Sequence, residues 1–123
     1  MILGIGSDII EIARIKKNIE CYRGRFLNRI FTVAEQNYCL NRKEPSVHFA
    51  GRFAAKEAIV KALGTGFIRG ISWQDIEILP DEKGKPVVKL SPPCEELFNF
   101  PNLLVTISHC RSYATAFAVW TSK

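Results

Sequence analysis

What the chain lacks narrows its class before any motif is read. None of its apolar runs approaches the ~20 residues that a membrane span requires, so no membrane partner is expected. It opens Met1-Ile2-Leu3-Gly4, without a basic segment leading into a long apolar core. That pattern predicts no secretory signal and a cytoplasmic protein. The cysteines Cys21, Cys39, Cys94 and Cys110 contain no C-x-x-C pair, which argues against a thiolate metal site or redox couple and for reduced, mostly packing thiols. Repeats and low-complexity tracts are absent as well, which excludes solenoids and disordered tails. Acidic residues are outnumbered, with 12 Asp and Glu against 17 Lys and Arg and a formal charge of +5.

What is present suits one domain spanning residues 1–123. Hydrophobic residues make up 47% of the chain, enough for a core without covalent staples. The basic excess gathers early, at Arg14, Lys16, Lys17, Arg23, Arg25 and Arg29, then Arg42 and Lys43. A basic surface favours an acidic partner and speeds encounter with it. Nucleic acid, a nucleotide phosphate and an acidic protein all fit that charge, and so does a solvated face with no partner.

Local signals predict an α+β fold, one antiparallel sheet with helices packed on it. Ile2 to Ile10 reads as a strand holding Gly4 and Gly6, and glycines inside a strand mark a bulge or a close backbone approach. Asp8 closes that stretch, and Asp8-Ile-Ile-Glu11 has the spacing to cap a helix through about Glu20. Arg23 to Ile30 reads as a short basic helical turn. Thr32-Val-Ala-Glu35 is a capping box for a helix to about Asn41. The longest helix runs from about Ser46 to Leu63 and stops at Gly64. Asp75–Leu79 and Pro86–Leu90 alternate as a hairpin around Asp81-Glu-Lys-Gly84. A short helix follows within 91–100, then strands at 103–108 and 113–120.

The long helix has an unusual face. At ~100° per residue, Ala50, Phe53, Ala54 and Ala58 share one side, and Glu57 and Lys61 fall within it. His48, Arg52 and Lys56 lie on another side. A helix apolar nearly all round is buried on most sides, which in so small a domain points to cover from a second subunit. A carboxylate on such a face is costly unless paired or bound to a cation. Two readings stand: a Glu57–Lys61 i,i+4 salt bridge, or a metal ligand with an adjacent lysine for phosphate. Mg²⁺ binds one or two carboxylates plus substrate phosphates, and Asp8 is the best second acid.

Weaker motifs point elsewhere. Gly4-Ile5-Gly6 lacks the third glycine and the βαβ unit of a dinucleotide site. Ser108 and His109 are strand neighbours facing opposite ways, a poor start for a hydrolase. A basic RNA- or single-strand-binding domain would explain the charge but not two acids at one site.

Four blocks, in order, resemble one family. Gly4-Ile-Gly-Ser-Asp-Ile-Ile-Glu-Ile-Ala-Arg-Ile15 and Phe31-Thr-Val-Ala-Glu-Gln-Asn-Tyr38 are the first two. Gly51-Arg-Phe-Ala-Ala-Lys-Glu-Ala-Ile-Val-Lys-Ala-Leu-Gly-Thr-Gly66 and Val105-Thr-Ile-Ser-His-Cys-Arg-Ser-Tyr-Ala114 follow. Together they are similar to the bacterial holo-[acyl-carrier-protein] synthases, the short trimeric type of 4′-phosphopantetheinyl transferase. The resemblance implies that fold, and transfer of 4′-phosphopantetheine from coenzyme A to a serine of an acyl carrier protein. It implies Mg²⁺ held by Asp8 and Glu57, and Lys61 at the reacting phosphate. Arg52 and His109 become coenzyme A contacts, and Gly64, Thr65 and Gly66 border the nucleotide. Arg14, with Arg23 and Arg25, becomes the carrier-protein docking face. A homotrimer with sites between subunits is implied, with no nucleic acid and no membrane as partner. The general base stays open between Glu57 and a metal-ordered water.

Overall fold

The structure, a computed structural model, describes residues 1–65 and 71–123. The expected loop residue Gly66 lies outside the described residues. Among the described residues, five strands and five α-helices follow one another as β1 (Ile2–Glu11), α1 (Ile12–Tyr22), α2 (Gly24–Ile30), α3 (Val33–Leu40), α4 (Pro45–Leu63), β2 (Ile76–Pro80), β3 (Pro86–Leu90), α5 (Pro92–Leu97), β4 (Asn102–His109) and β5 (Tyr113–Thr121), with one 3₁₀ turn at Trp73–Asp75 before β2.

The α+β class is as the sequence predicts, but the strands form two antiparallel sheets, where one was expected. One sheet has the order β1-β5-β4, the other is the hairpin β2-β3. Strands β3 and β4 approach each other without joining in a ladder. Local end signals behave as read. Thr32 and Glu35 form both halves of the capping box, Pro45 occupies the first turn of α4, and Gly64 ends it in the left-handed region at φ 79°.

Strand β1 departs from expectation in a way that matters. It runs on to Glu11, so Asp8 sits within it and caps nothing; Glu11 precedes α1 without a side-chain cap. Its register with β5 shifts between Ile2 and Gly4 and then holds, pairing Gly6 with Ala118, Asp8 with Ala116 and Ile10 with Ala114. Strand alternation puts Gly4, Gly6, Asp8 and Ile10 on one face. That face carries α4. A Cβ on Gly4 would lie 2.0 Å from the Ala62 carbonyl oxygen, and one on Gly6 2.1 Å from that of Ala58. Only glycine lets the strand backbone rest on the helix backbone here.

The rest of the contact is made of small residues. Ala54, Ala55, Ala58 and Ala62 of α4 pack with Ala116 and Ala118 of β5 in one core. A second core gathers Ile12, Ile15, Leu27, Phe31 and Phe49 around α1 and α2. Phe31 and Phe49 meet at 4.8 Å between ring centroids, and each fully buried ring stabilises by about 1.5–3 kcal/mol. Together the two cores fix α4 against β1 on one side and α1 on the other.

Candidate active site

Because Gly4 and Gly6 bring β1 onto α4, the next inward-facing residue, Asp8, lands beside the flank of that helix. Lys61 reaches it: Nζ donates to Asp8 Oδ1 at 3.2 Å and to the Ser7 carbonyl at 2.9 Å. The i,i+4 pair Glu57–Lys61 is therefore not what forms; the lysine bonds across to the strand. Glu57 stays half-buried on α4. Burial is the main cause that raises its pKa, the Asp8 charge raises it further, and Lys61 opposes both. Two acids thus face each other across a helix–strand junction.

The junction opens into a cleft of ≈ 310 Å³ lined by Asp8, Ile9, Ile10, Arg14, Ile15, Asn18, Phe53 and Glu57. Among the described residues, no group of three or more His, Cys, Asp or Glu side chains is arranged to hold a metal. Two neighbouring carboxylates, with the Asp8 charge acting on Glu57, are still a fitting donor set for one hard cation, whose other ligands come from waters and substrate phosphates. Arg14, exposed on α1, is among the cleft's lining residues. A neighbouring groove of ≈ 340 Å³ continues from Asn18 along Tyr22, Arg25, Phe26 and Arg29. Arg23 joins α1 to α2 at φ 43° and is exposed, as is Arg25.

The other expected residues fall in a second group. Arg52 is 5% exposed; its Nε donates to the Ile78 carbonyl at 3.1 Å and Nη1 to the His48 carbonyl at 3.3 Å. The guanidinium lies 4.5 Å over the Tyr38 ring, with Arg42 5.2 Å from the same ring. His109 is exposed at the end of β4. It lies close enough, with Arg52 and Arg42, to act on His48, so two arginines and two histidines gather there. On α4, Arg52 faces about 140° away from Glu57. Within one chain the structure therefore brings Asp8, Glu57, Lys61 and Arg14 together, and Arg52 and His109 elsewhere. Gly64 and Thr65 follow directly on the turn that carries Lys61.

Sequence reasoning missed Phe53 and Asn18 as cleft residues. Asn18 was findable, since it lies one helical turn beyond Arg14 on the same stripe. It also missed the pair at the centre of the molecule. Lys56 and Glu35, both 0% exposed, meet at 2.7 Å. Burial presses the Lys56 pKa down while Glu35 opposes.

Comparison with known proteins bears on the family and the fold. A family model described as the 4′-phosphopantetheinyl transferase superfamily matches residues 4–120. The chain is 67% identical over 122 residues to a holo-[acyl-carrier-protein] synthase of Protochlamydia amoebophila (strain UWE25), covering 99% of this chain and 100% of that one. A solved holo-(acyl-carrier-protein) synthase from Bacillus anthracis str. Ames, in complex with CoA (3′,5′-ADP), is similar at 39% identity and TM-score 0.85, covering 100% of this chain and 99% of the other. The Helicobacter pylori holo-[acyl-carrier-protein] synthase in complex with coenzyme A is 36% identical with TM-score 0.86, covering 95% and 99%.

Proposed function

The chain belongs to the 4′-phosphopantetheinyl transferase superfamily, and on that premise we propose that its cleft transfers 4′-phosphopantetheine from coenzyme A to a serine of an apo-acyl carrier protein. The serine oxygen forms a bond to the β-phosphorus as the pyrophosphate P–O bond breaks. Adenosine 3′,5′-bisphosphate leaves. The enzyme is a holo-[acyl-carrier-protein] synthase in type, and carrier activation of this kind serves fatty acid biosynthesis. The observation that carries the reading is a junction in which Asp8 and Glu57 line one open cleft and Lys61 pairs with Asp8 beside it.

Asp8 and Glu57 would hold Mg²⁺, which when bound supplies neutralisation of the coenzyme's pyrophosphate. The residues fit, since hard oxygen donors already oppose one another there. Lys61, 53% exposed at its side chain, is placed to stabilise charge developing on the transferring phosphoryl oxygens. Arg52 and His109, within the group of two arginines and two histidines at His48, are suited to an anionic part of coenzyme A. Gly64 and Thr65, which follow the turn of Lys61, would border the nucleotide. Arg14, Arg23 and Arg25 present positive charge to an acidic carrier, where rim charges raise the on-rate.

A homotrimer completes the proposal. The outer face of the three-stranded sheet carries uncovered apolar side chains among small polar ones: Ile5, Ile9, Leu104 and Phe117 are all exposed, Ile5 and Ile9 at 60%. Such a patch marks an interface. Assembly through it would let Arg52 and His109 of one copy serve the cleft of the next. A cytoplasmic location accords with a thiol-bearing cofactor and four free cysteines.

Mass spectrometry of apo-carrier protein incubated with coenzyme A, Mg²⁺ and this chain tests the reading. A gain of about 340 Da on the carrier is expected, the mass of the transferred group. Asp8→Ala and Glu57→Ala should each lower turnover by roughly 10²–10³ while circular dichroism stays native. Wild-type turnover in either variant would refute the ligand assignment.

A further inference from the structure

Lys56 is a fully buried cation that the transfer chemistry does not use. Its ammonium has three oxygen partners drawn from three separate stretches of chain. It donates to Glu35 Oε1 at 2.7 Å, to the Ile30 carbonyl at 2.7 Å and to the Trp73 carbonyl at 3.0 Å. The same Glu35 carboxylate accepts from the Thr32 backbone at 2.9 Å and from the Ile78 backbone at 2.8 Å. One buried pair therefore ties the ends of α2, the start of α3, β2 and the 3₁₀ turn to the middle of α4.

The tie to Trp73 leads back to the cleft. The Trp73 indole stacks on Phe53 at 5.0 Å between centroids with planes 23° apart. Phe53 lines the cleft one helical turn before Glu57. Arg14 and Asn18 line the same cleft as Phe53, and Asn18 also belongs to the groove that runs on toward Arg25 and Arg29. That is the approach of the carrier protein in the reading above.

We propose that Lys56 is a positioning residue: its bond to the Trp73 carbonyl holds the indole against Phe53, and so sets the apolar wall that admits the carrier protein's serine segment. The proposal rests on the transferase reading, and it assigns Lys56 and Trp73 to the carrier side of the reaction. Coenzyme A binding does not depend on them. A purely structural ion pair would instead affect stability and leave both substrates alike.

The experiment uses the Trp120→Phe background, in which Trp73 is the sole tryptophan. Lys56→Met alone strands the Glu35 carboxylate, so the informative variant is Lys56→Met with Glu35→Met, which removes both charges together. The folded double variant should show a red-shifted Trp73 emission with greater acrylamide quenching. Its kcat/KM for apo-carrier protein should fall about tenfold, the scale of a sub-ångström to ångström misplacement. The dissociation constant for coenzyme A, read by calorimetry, should not change. Trp73→Leu in the unaltered chain should reproduce the carrier-specific loss. A folded double variant with native emission and native carrier kinetics overturns the proposal. Should the double variant not fold, native carrier kinetics in Trp73→Leu overturns it equally. If the parent chain transfers nothing to the carrier, the transferase reading fails, while the emission shift still reports the Lys56–Trp73 link.

Discussion

Single side chains here show how position within one helix decides chemistry. Glu57 and Lys56 are neighbours in sequence, yet one faces an open cleft and the other is sealed among carbonyls. His48 offers a measurable case. Its ring stands edge-on to Tyr38 at 5.9 Å. Burial first, then the charges of Arg52, Arg42 and His109, hold its pKa below the usual 6.5, with Glu44 opposing. The unfolded chain therefore takes up the proton more readily than the folded one. Stability should fall as pH drops below about 6.5 and level off beneath the folded-state pKa. Replacing His48 by Phe removes this contribution, so the variant should lose less stability than the parent between neutral and mildly acid pH. Urea unfolding across that range checks it, and parallel pH profiles would exclude the effect.

Among the elements, β1 and α4 carry the site, and their spacing is set by glycine. Gly6→Ala would place a methyl 2.1 Å from the Ala58 carbonyl oxygen and 2.8 Å from the Ala62 nitrogen. Neither backbone atom can yield cheaply, so a cost of about 1–3 kcal/mol is expected. The strand must lift, which carries Asp8 away from Glu57 and should abolish most activity in whatever protein folds. Gly24→Ala is the control: a Cβ there meets nothing closer than Asn28 Nδ2 at 3.5 Å, and in helix α2 alanine should be neutral or better. Thermal unfolding and the carrier mass assay read both. The same junction shows what the sequence could disclose. The capping box at Thr32, the start of α4 and its stop at Gly64 depend on residues within a few positions of each other, and all were legible. So was Glu57, because a carboxylate among alanines is conspicuous; Asp8 was named for a strand end that in fact lies at Glu11. The partner of Lys61 was not, since strand alternation places Asp8 toward the helix only once β1 is known to continue past it. Nor was the split into two sheets, which depends on how β3 and β4 meet. The Lys56–Glu35 pair spans 21 positions, and Glu35 was already accounted for locally by its cap.

For the whole molecule, the uncovered apolar sheet face and the separation of Arg52 and His109 from the acid cleft belong together. Ile5, Ile9, Leu104 and Phe117 share that outer face, away from α4, and a trimer built on it would hide them all. Phe117→Glu puts a charge at its centre. Sedimentation should then give a monomer, and transfer should be lost although Asp8, Glu57 and Lys61 are untouched. A trimer that survives this change would place the interface elsewhere. The charged pair at the molecule's heart has a consequence of another kind, for descent. Removing either member alone leaves the other uncompensated at about 3–5 kcal/mol, a large share of the roughly 5–15 kcal/mol that a domain has in hand. A lineage can hardly pass through either single change and keep a folded enzyme. Positions 35 and 56 should therefore be transmitted as one heritable character, altered together or not at all.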